Sequence, residues 1–179
     1  MTYTSVAQII EEIDKTRERI YHRVAGLTDE QANARSRPDA WTAAEIIEHL
    51  SLIEGRLLHM MTMMLRKAES AQAQGAKAAP VEFKPFTLDE FIERASERKF
   101  VAPEAVTPSG AASLVDSLEK LRRSRAELKA LRPRIEAIDL AMVTYPHPAL
   151  GALNFYQWLA FIGLHEERHL RQAEAALSS

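Results

Sequence analysis

The spacing of apolar residues along the chain predicts four long helices. The first covers residues 5–25, where apolar side chains recur every three or four positions: Val6, Ile9, Ile10, Ile13, Ile20 and Val24. Charged residues are assigned to the opposite, solvent side of this amphipathic helix: Glu11, Glu12, Arg17 and Arg19. Gly26 and a polar stretch at 28–40, which contains Pro38, then end the helical pattern.

A second helix is predicted from Thr42 to about Glu69. Glu45 follows Thr42 by three residues, which is the spacing of a capping box, in which each side chain satisfies a free backbone N–H at the helix start. The inward stripe of this helix is then Ile46, Leu50, Ile53, Leu57, Met60 and Met64.

Residues 71–110 interrupt the helical pattern. Four prolines punctuate this segment: Pro80, Pro85, Pro103 and Pro108. Thr87 with Glu90 three residues later predicts a short helix at 87–98. The segment is too long for a tight loop between bundle helices, so we expect a crossover that covers one end of the core.

A third helix is predicted from about Ala111 to Leu131, with Ser109 as its cap and Pro133 as its stop. Its buried side is a row of leucines: Leu114, Leu118, Leu121, Leu128 and Leu131. Arg125 interrupts that row. We expect a surface arginine whose stem lies along apolar neighbours, and the alternative is an arginine that reaches a buried anion or carboxylate.

The last helix is predicted from Leu153 to about Leu177, after a short helical turn at 134–142 and a turn-rich stretch at 145–151. Strand-like alternation of useful length is not visible in the sequence. We therefore expect an all-α single domain over residues 1–179: a four-helix bundle with a long crossover between the second and third main helices.

The amino-acid composition limits the kinds of functional site and partner that this chain can have. The 179 residues contain no cysteine and six histidines, and 25 acidic residues oppose 23 Lys and Arg for a net charge of −2. Disulfides, thiolate nucleophiles and cysteine-based zinc sites are thus excluded, so a metal would need His, Asp and Glu ligands. This charge gives no reason to expect nucleic acid or an anionic membrane as partner. Without a secretory signal or a long apolar run, a cytoplasmic location is expected.

Three of the six histidines face the predicted interior. On the last helix, His165 and His169 lie within about 20° of the inward direction marked by Trp158, and residues one turn apart can bind one metal from the same side. On the second helix, His49 lies about 60° from Ile46 and borders the apolar stripe. Three imidazoles on two helices would leave coordination positions open, as catalytic metal sites do. The alternative is that these are core histidines satisfied by hydrogen bonds.

The remaining histidines share no face. His22 and His59 are assigned to the surface, and His147, between two prolines, to a turn or a pocket edge. His165 and Glu166 also begin the string H-E-E-R-H, which matches the H-E-x-x-H motif of zinc proteases. That interpretation lacks a downstream third ligand, because Glu174 is poorly phased, and we set it below the three-histidine site.

Three blocks in this chain resemble the DinB-like superfamily, which includes bacillithiol transferases and mycothiol-dependent isomerases. They are W-T-A-A-E-I-I-E-H-L at 41–50, K-F-V-A-P-E at 99–104, and H-P-A-L-G-A-L-N at 147–154 with Trp158 and the H-E-E-R-H string at 165–169. The resemblance implies a four-helix bundle with one divalent transition metal (Ni, Zn or Fe) held by residues that map onto His49, His165 and His169.

The resemblance further implies an enzyme that uses the metal to bind a low-molecular-weight thiol, which then attacks an electrophilic small-molecule substrate. A thiol S-transferase or a hydrolase is the leading interpretation, and a non-catalytic metal- or ligand-binding stress-response bundle is the alternative. No catalytic residue is assigned. Pocket-lining or core roles stay open for Trp41, Trp158, Tyr156 and Gln172. A homodimer is suggested by the family and by Met61, Met63 and Leu65, which could equally pack under the crossover.

Overall fold

Four long helices form the body of the molecule, as expected. The computed structural model describes residues 1–75, 82–89, 103–148 and 150–178. The long helices are α1 (Val6–Val24), α3 (Ala43–Ala73), α4 (Leu114–Ala130) and α6 (Phe155–Ala176), and two short ones are α2 (Asp29–Asn33) and α5 (Arg132–Glu136). Helix α1 packs on α6, and α3 packs on both α4 and α6. Within the described ranges, the helices are too short or too polar to cross a membrane.

Side-chain caps fix where the long helices begin. Ser5 caps α1, and the predicted capping box of Thr42 and Glu45 opens α3. Helix α4 begins later than predicted, because Ser113, not Ser109, accepts the backbone N–H that caps it. Asn154 forms a capping box with Gln157, so α6 begins at Phe155 and not at Leu153.

Two short helices differ from the sequence expectation. The polar stretch after α1 contains α2, which opens with a capping box of Thr28 and Gln31. Pro133, expected to stop the third long helix, instead lies in the first turn of the short helix α5. A missing backbone N–H costs nothing at that position. The predicted helix at 87–98 lies mostly outside the described residues.

Two pairs of short strands, which the sequence did not predict, accompany the helices. Strand β1 (Thr2–Tyr3) pairs with β2 (Phe86–Thr87), and β3 (Thr144–His147) pairs with β4 (Gly151–Asn154), both antiparallel. Such short strands cannot show a periodic pattern in sequence. The hairpin of β3 and β4 leads directly into α6, and the indole Nε1 of Trp158 donates to the carbonyl of Tyr145 at 3.1 Å. The hairpin therefore fixes the start of the helix that carries two of the three inward histidines.

The apolar core is divided into two clusters along the bundle. The larger cluster includes Ile13, Met61, Leu128 and Phe155, and the smaller one is formed by Ile20, Val24, Ile47, Leu50, Leu121 and Leu170. On each long helix a buried charged residue lies between the two clusters. The interior of the bundle therefore contains a polar layer, described below.

The apolar residues considered for a dimer surface belong mainly to the core. Met61 and Leu65 are fully buried in the larger cluster, and only Met63 of the three is exposed, at 52%. The structure thus removes two of the three residues that suggested a dimer surface, and the homodimer stays a prediction.

Candidate metal centre

Three imidazole rings meet between α3 and α6. One ring nitrogen each from His49, His165 and His169 lies within 4.8 Å of the others. The ring centroids are 4.5 Å apart for His165 and His169, 4.7 Å for His49 and His169, and 5.4 Å for His49 and His165. The packing of α3 on α6 brings together the three rings that helix phasing directs inward.

The outer nitrogen of His49 has a defined partner. Its Nδ1 lies 2.7 Å from the carbonyl oxygen of Val106, in the 3-10 turn Glu104–Val106. Because a carbonyl can only accept, Nδ1 must carry the proton, and Nε2 keeps its lone pair. Metal-binding histidines are usually oriented by such an outer hydrogen bond.

His169 is held in the same way. Its Nδ1 lies 2.9 Å from Oε1 of Gln172, one turn further along α6. The amide oxygen accepts from Nδ1–H, so the Nε2 lone pair of His169 is also free to bind. Gln172, considered as a cavity residue from the sequence, orients a histidine in the structure.

The three rings are held in the neutral form that binds metals. Burial lowers the pKa of His49, lowers that of His165 well below its ordinary value, and lowers that of His169 to about 3. Repulsion from the neighbouring rings and from Arg168 lowers the pKa of His165 further. At neutral pH each ring therefore offers a lone pair without losing a proton first.

Aromatic side chains flank the three rings on two sides. The ring centroid of Trp41 lies 4.9 Å from that of His49 and 6.2 Å from that of His169, and Phe161 lies 6.1 Å from His165. Trp41, Phe161 and His165 are only partly buried. Trp158 and Tyr156, by contrast, are core residues, since both are buried in the larger apolar cluster.

The other three histidines are not part of the group. His22 and His59 are exposed, as predicted. His147 lies on β3, where its Nδ1 accepts the backbone N–H of Leu150 at 3.2 Å and its ring contacts Trp158 and Phe161. This position agrees with the predicted turn, and the ring of Phe161 contacts both His147 and His165.

Four acidic residues lie close to the three rings along the chain, and each is engaged elsewhere; one of them, Glu167, pairs with Arg19. Glu45 serves the α3 cap and binds Arg35 at 2.7 Å, and Glu48 accepts hydrogen bonds from Ser109 and Gly110. Glu166 binds Arg17 and Arg125. The zinc-protease interpretation would need Glu166 as the base at the metal, and these two ion pairs weigh against it.

The sequence interpretation missed a group of four buried charges. Arg17 was assigned to the solvent side of α1, and Arg125 to the surface of α4, yet their exposed fractions are 2% and 5%. The assignment of Arg17 was wrong, and for Arg125 the structure supports the alternative, an arginine that reaches buried carboxylates. The overlooked signal is spacing: Arg17 continues the series Ile10, Ile13, Ile20 and Val24 at intervals of three and four.

We call Arg17, Glu54, Arg125 and Glu166 the charge layer. Each comes from a different long helix, in the order α1, α3, α4 and α6, and each lies between the two apolar clusters. Glu54 and Glu166 both bind Nη2 of Arg17, while Arg125 binds Glu54 through Nε at 3.2 Å and Glu166 through Nη2 at 2.9 Å. Two buried cations and two buried carboxylates thus compensate one another.

The charge layer is also bonded to the backbone. Arg17 donates to the carbonyl of Leu121 at 3.0 Å, and Arg125 to the carbonyl of Ile13 at 2.8 Å. Burial opposes the charge of Arg17, but Glu166 and Glu54 outweigh it and raise the pKa of the guanidinium. Burial raises the pKa of Glu166, because the attraction of the two arginines offsets only part of its desolvation.

The fold and the three rings together define a class: helical-bundle proteins with a group of histidines suited to one metal ion between two helices. The sequence profile of the DinB superfamily matches residues 12–173. The chain belongs to the DinB superfamily, as its sequence blocks suggested.

Individual relatives agree with this assignment. The chain is 28% identical over 155 residues to the uncharacterized protein YuaE of Bacillus subtilis (strain 168), covering 85% of this chain and 86% of the relative. The crystal structure of TT2238, a four-helix bundle protein, matches 95% of this chain and 98% of its own at 19% identity, with a TM-score of 0.60. YfiT from Bacillus subtilis, described as a probable metal-dependent hydrolase with an unusual four-helix bundle topology, matches 95% of this chain and 84% of its own at 16% identity, with a TM-score of 0.52.

Proposed function

We propose that the protein is a metal-dependent enzyme that acts on a small molecule and holds one divalent transition metal through His49, His165 and His169. The observation that carries the proposal is the convergence of one ring nitrogen from each histidine within 4.8 Å. Three neutral imidazoles suit nickel, zinc or iron, whereas calcium and magnesium prefer oxygen ligands.

The surrounding residues fit such a group. Val106 and Gln172 accept from the outer nitrogens of His49 and His169, which leaves the inner nitrogens as lone-pair donors. Three protein ligands leave coordination positions for a further molecule. Trp41 contacts the rings of His49 and His169, and Phe161 contacts that of His165; these two partly buried aromatic side chains would limit the access of water and contact an apolar part of the substrate.

A bound transition metal would act as a Lewis acid that lowers the pKa of a coordinated thiol or water. The coordinated group then loses its proton at neutral pH and becomes a nucleophile. The chain has no cysteine, so a thiol nucleophile must come from a low-molecular-weight cosubstrate. Thiol S-transfer and hydrolysis are accordingly the two reactions that we propose to compare. The description of YfiT as a metal-dependent hydrolase supports testing the second.

A non-catalytic metal- or ligand-binding bundle is the alternative function. The observation that favours it is that Glu45, Glu48 and Glu166 are each committed to capping, loop or charge-layer contacts. Among the residues that the structure describes, no carboxylate joins the three imidazoles in the candidate metal group. Such a bundle would bind the metal stoichiometrically and turn over neither substrate class.

Metal analysis tests the site. Protein purified without a histidine tag is expected to carry about one transition metal ion per chain, and the His49→Ala variant is expected to lose it. His59→Ala is the matched control, because it removes an exposed histidine from the same helix. Stoichiometric metal in His49→Ala would overturn the proposed ligand set.

Turnover tests the reaction. The metal-loaded protein is incubated with an electrophile panel in the presence and absence of a small thiol, and in parallel with ester and amide substrates. Thiol-dependent turnover identifies a transferase, and thiol-independent cleavage identifies a hydrolase. Equal rates for His165→Ala and the wild-type protein would contradict the metal-dependent mechanism, and metal binding without turnover would support the non-catalytic alternative.

A further inference from the structure

The ring of His165 lacks the outer partner that the other two histidines have. His49 donates to Val106 and His169 to Gln172, whereas in the described part of the chain no hydrogen bond is formed by His165. A ligand imidazole without an outer partner is free to rotate and to change tautomer. The next residue on α6 is Glu166 of the charge layer.

A small cavity lies where the ring and the charge layer meet. Its volume is about 10 Å³, and His165, Glu54 and Glu166 supply its polar lining. Its apolar lining consists of Leu50, Ile53, Leu57 and Ile162. Of the three imidazole rings, only that of His165 belongs to the described lining. Its volume corresponds to about one water molecule.

One carboxylate oxygen in the charge layer has no partner. Glu54 uses both oxygens, Oε1 with Arg125 and Oε2 with Arg17. Glu166 places Oε1 against both arginines, and its Oε2 is buried without a hydrogen-bond partner among the described residues. A buried carboxylate oxygen without a partner is costly, and a bound water is the usual remedy.

We propose that Glu166 is a positioning residue for His165, linked to it by one buried water in this cavity. The water accepts the outer N–H of His165 and donates to Oε2 of Glu166, which Arg17 and Arg125 hold in place. All three histidines then have an outer acceptor: a backbone carbonyl, an amide oxygen and a water-linked carboxylate. This inference rests on the proposed metal site and assigns the charge layer a role in shaping it.

The two carboxylates of the charge layer offer a matched pair of variants. In Glu166→Gln the amide oxygen turns to the arginines, which can only donate, so the NH₂ group faces the cavity and cannot accept from the water. Glu54→Gln weakens contacts to the same two arginines but leaves Oε2 of Glu166 in place. A purely structural charge layer predicts the same effect of both variants on the metal site, whereas the proposal predicts different effects.

Cobalt(II) is the probe for this test, since its visible spectrum reports coordination geometry. We expect Glu166→Gln to weaken Co²⁺ binding roughly 10- to 100-fold and to change the spectrum. Glu54→Gln is expected to keep the wild-type spectrum and an affinity within about threefold of wild type, well below the effect of losing an outer-shell partner. Urea unfolding of both variants confirms that they fold. Equal effects of the two variants, or no effect of either, would overturn the proposal.

A second measurement avoids the variants, in case Glu166→Gln does not fold. In the metal-free wild-type protein with ¹⁵N-labelled histidine, the outer ring N–H of His165 is expected to exchange with solvent more slowly than that of the exposed His22. Exchange as fast as that of His22 would overturn the water link. A wild-type protein that binds no Co²⁺ but protects this N–H would instead refute the proposed function alone.

Discussion

Ser109 donates both its backbone N–H and its hydroxyl to Oε1 of Glu48, over 3.1 and 2.7 Å. Gly110 donates its backbone N–H to Oε2 of the same carboxylate at 3.0 Å, in a left-handed backbone conformation with φ of +70° that glycine adopts readily. Val106, three residues before Ser109, accepts from His49. Glu48 and His49, which are consecutive on α3, thus both bind the segment that precedes α4. The contacts of Glu48 hold this segment in place, and with it the Val106 carbonyl that orients His49.

Removal of the Ser109 hydroxyl is expected to loosen this support. Ser109→Ala loses the hydroxyl bond to the carboxylate and the acceptor of the Ala111 N–H, but keeps the two backbone donors to Glu48, so we expect the free energy of unfolding to fall by roughly 1–3 kcal/mol. Urea unfolding measures the loss. Ser178→Ala is the control, because its exposed hydroxyl bonds only a backbone carbonyl near the end of α6. An equal change in both variants would show that Ser109 contributes nothing through Glu48.

Glu48 is expected to contribute to acid unfolding. Burial pushes the pKa of Glu48 upward, but the hydrogen bonds from Ser109 and Gly110 outweigh it and leave the pKa below its ordinary value of 4.5. The folded state therefore binds fewer protons than the unfolded state, and the contribution of Glu48 is complete above the ordinary pKa and is lost as the pH falls through the folded one. The wild-type protein should lose stability below pH 4.5 more steeply than Glu48→Gln. Denaturant titrations at several acidic pH values measure both slopes, and parallel curves would contradict the prediction.

Breaking the charge layer is expected to be costly. Arg17→Met leaves Glu54 and Glu166 buried with one arginine between them, and loss of one partner from a buried ion pair costs roughly 3–5 kcal/mol. Arg19→Met is the control on the same helix: Arg19 is mostly exposed and pairs with Glu167 at 2.5 Å, so its loss should cost less than about 1 kcal/mol. Thermal and urea unfolding of the two variants measure the difference. Similar losses would show that the layer is no more important than a surface pair.

Metal binding is expected to stabilise the folded chain. At a free metal concentration about 100 times Kd, a ligand that binds only the folded state adds about 2.7 kcal/mol, which raises Tm by roughly 5–10 °C for a chain of this size. The shift should vanish in His169→Ala and persist in His22→Ala, which alters an exposed residue. Differential scanning calorimetry with Zn²⁺, Ni²⁺ or Co²⁺ gives the measurement. An undiminished shift in His169→Ala would place the metal elsewhere.

Most of the fold could be predicted from two sequence signals: the spacing of apolar residues along the helices and the residues that cap them. The Thr42–Glu45 box and the apolar series of α1 are local signals, and both appear in the structure. The meeting of the three imidazoles was also predictable, because two lie one turn apart on α6 and the third borders the stripe of α3. Their outer partners were not predicted, since Val106 belongs to a loop whose path depends on tertiary contacts.

The buried charges illustrate why the remainder of the interior was misread. A rule that assigns charged residues to solvent fails when buried charges on separate helices compensate one another. The pattern of one helix cannot reveal this, because the oppositely charged partner lies on another helix. Arg125 shows this most clearly, because its partners Glu54 and Glu166 lie 71 and 41 residues away. The hairpin of β3 and β4 was missed for a different reason: strands of four residues are too short to display alternation.

The position of the charge layer between two apolar clusters has a consequence for how the helices choose their neighbours. Apolar stripes are largely interchangeable, so four similar helices could associate in several orders or slide by one turn at little cost. A slide of α1 or α4 by one turn would place its arginine against apolar side chains and leave Glu54 and Glu166 without that partner. The charge layer thus favours the alignment in which its four residues meet, and in that alignment the three histidines also meet.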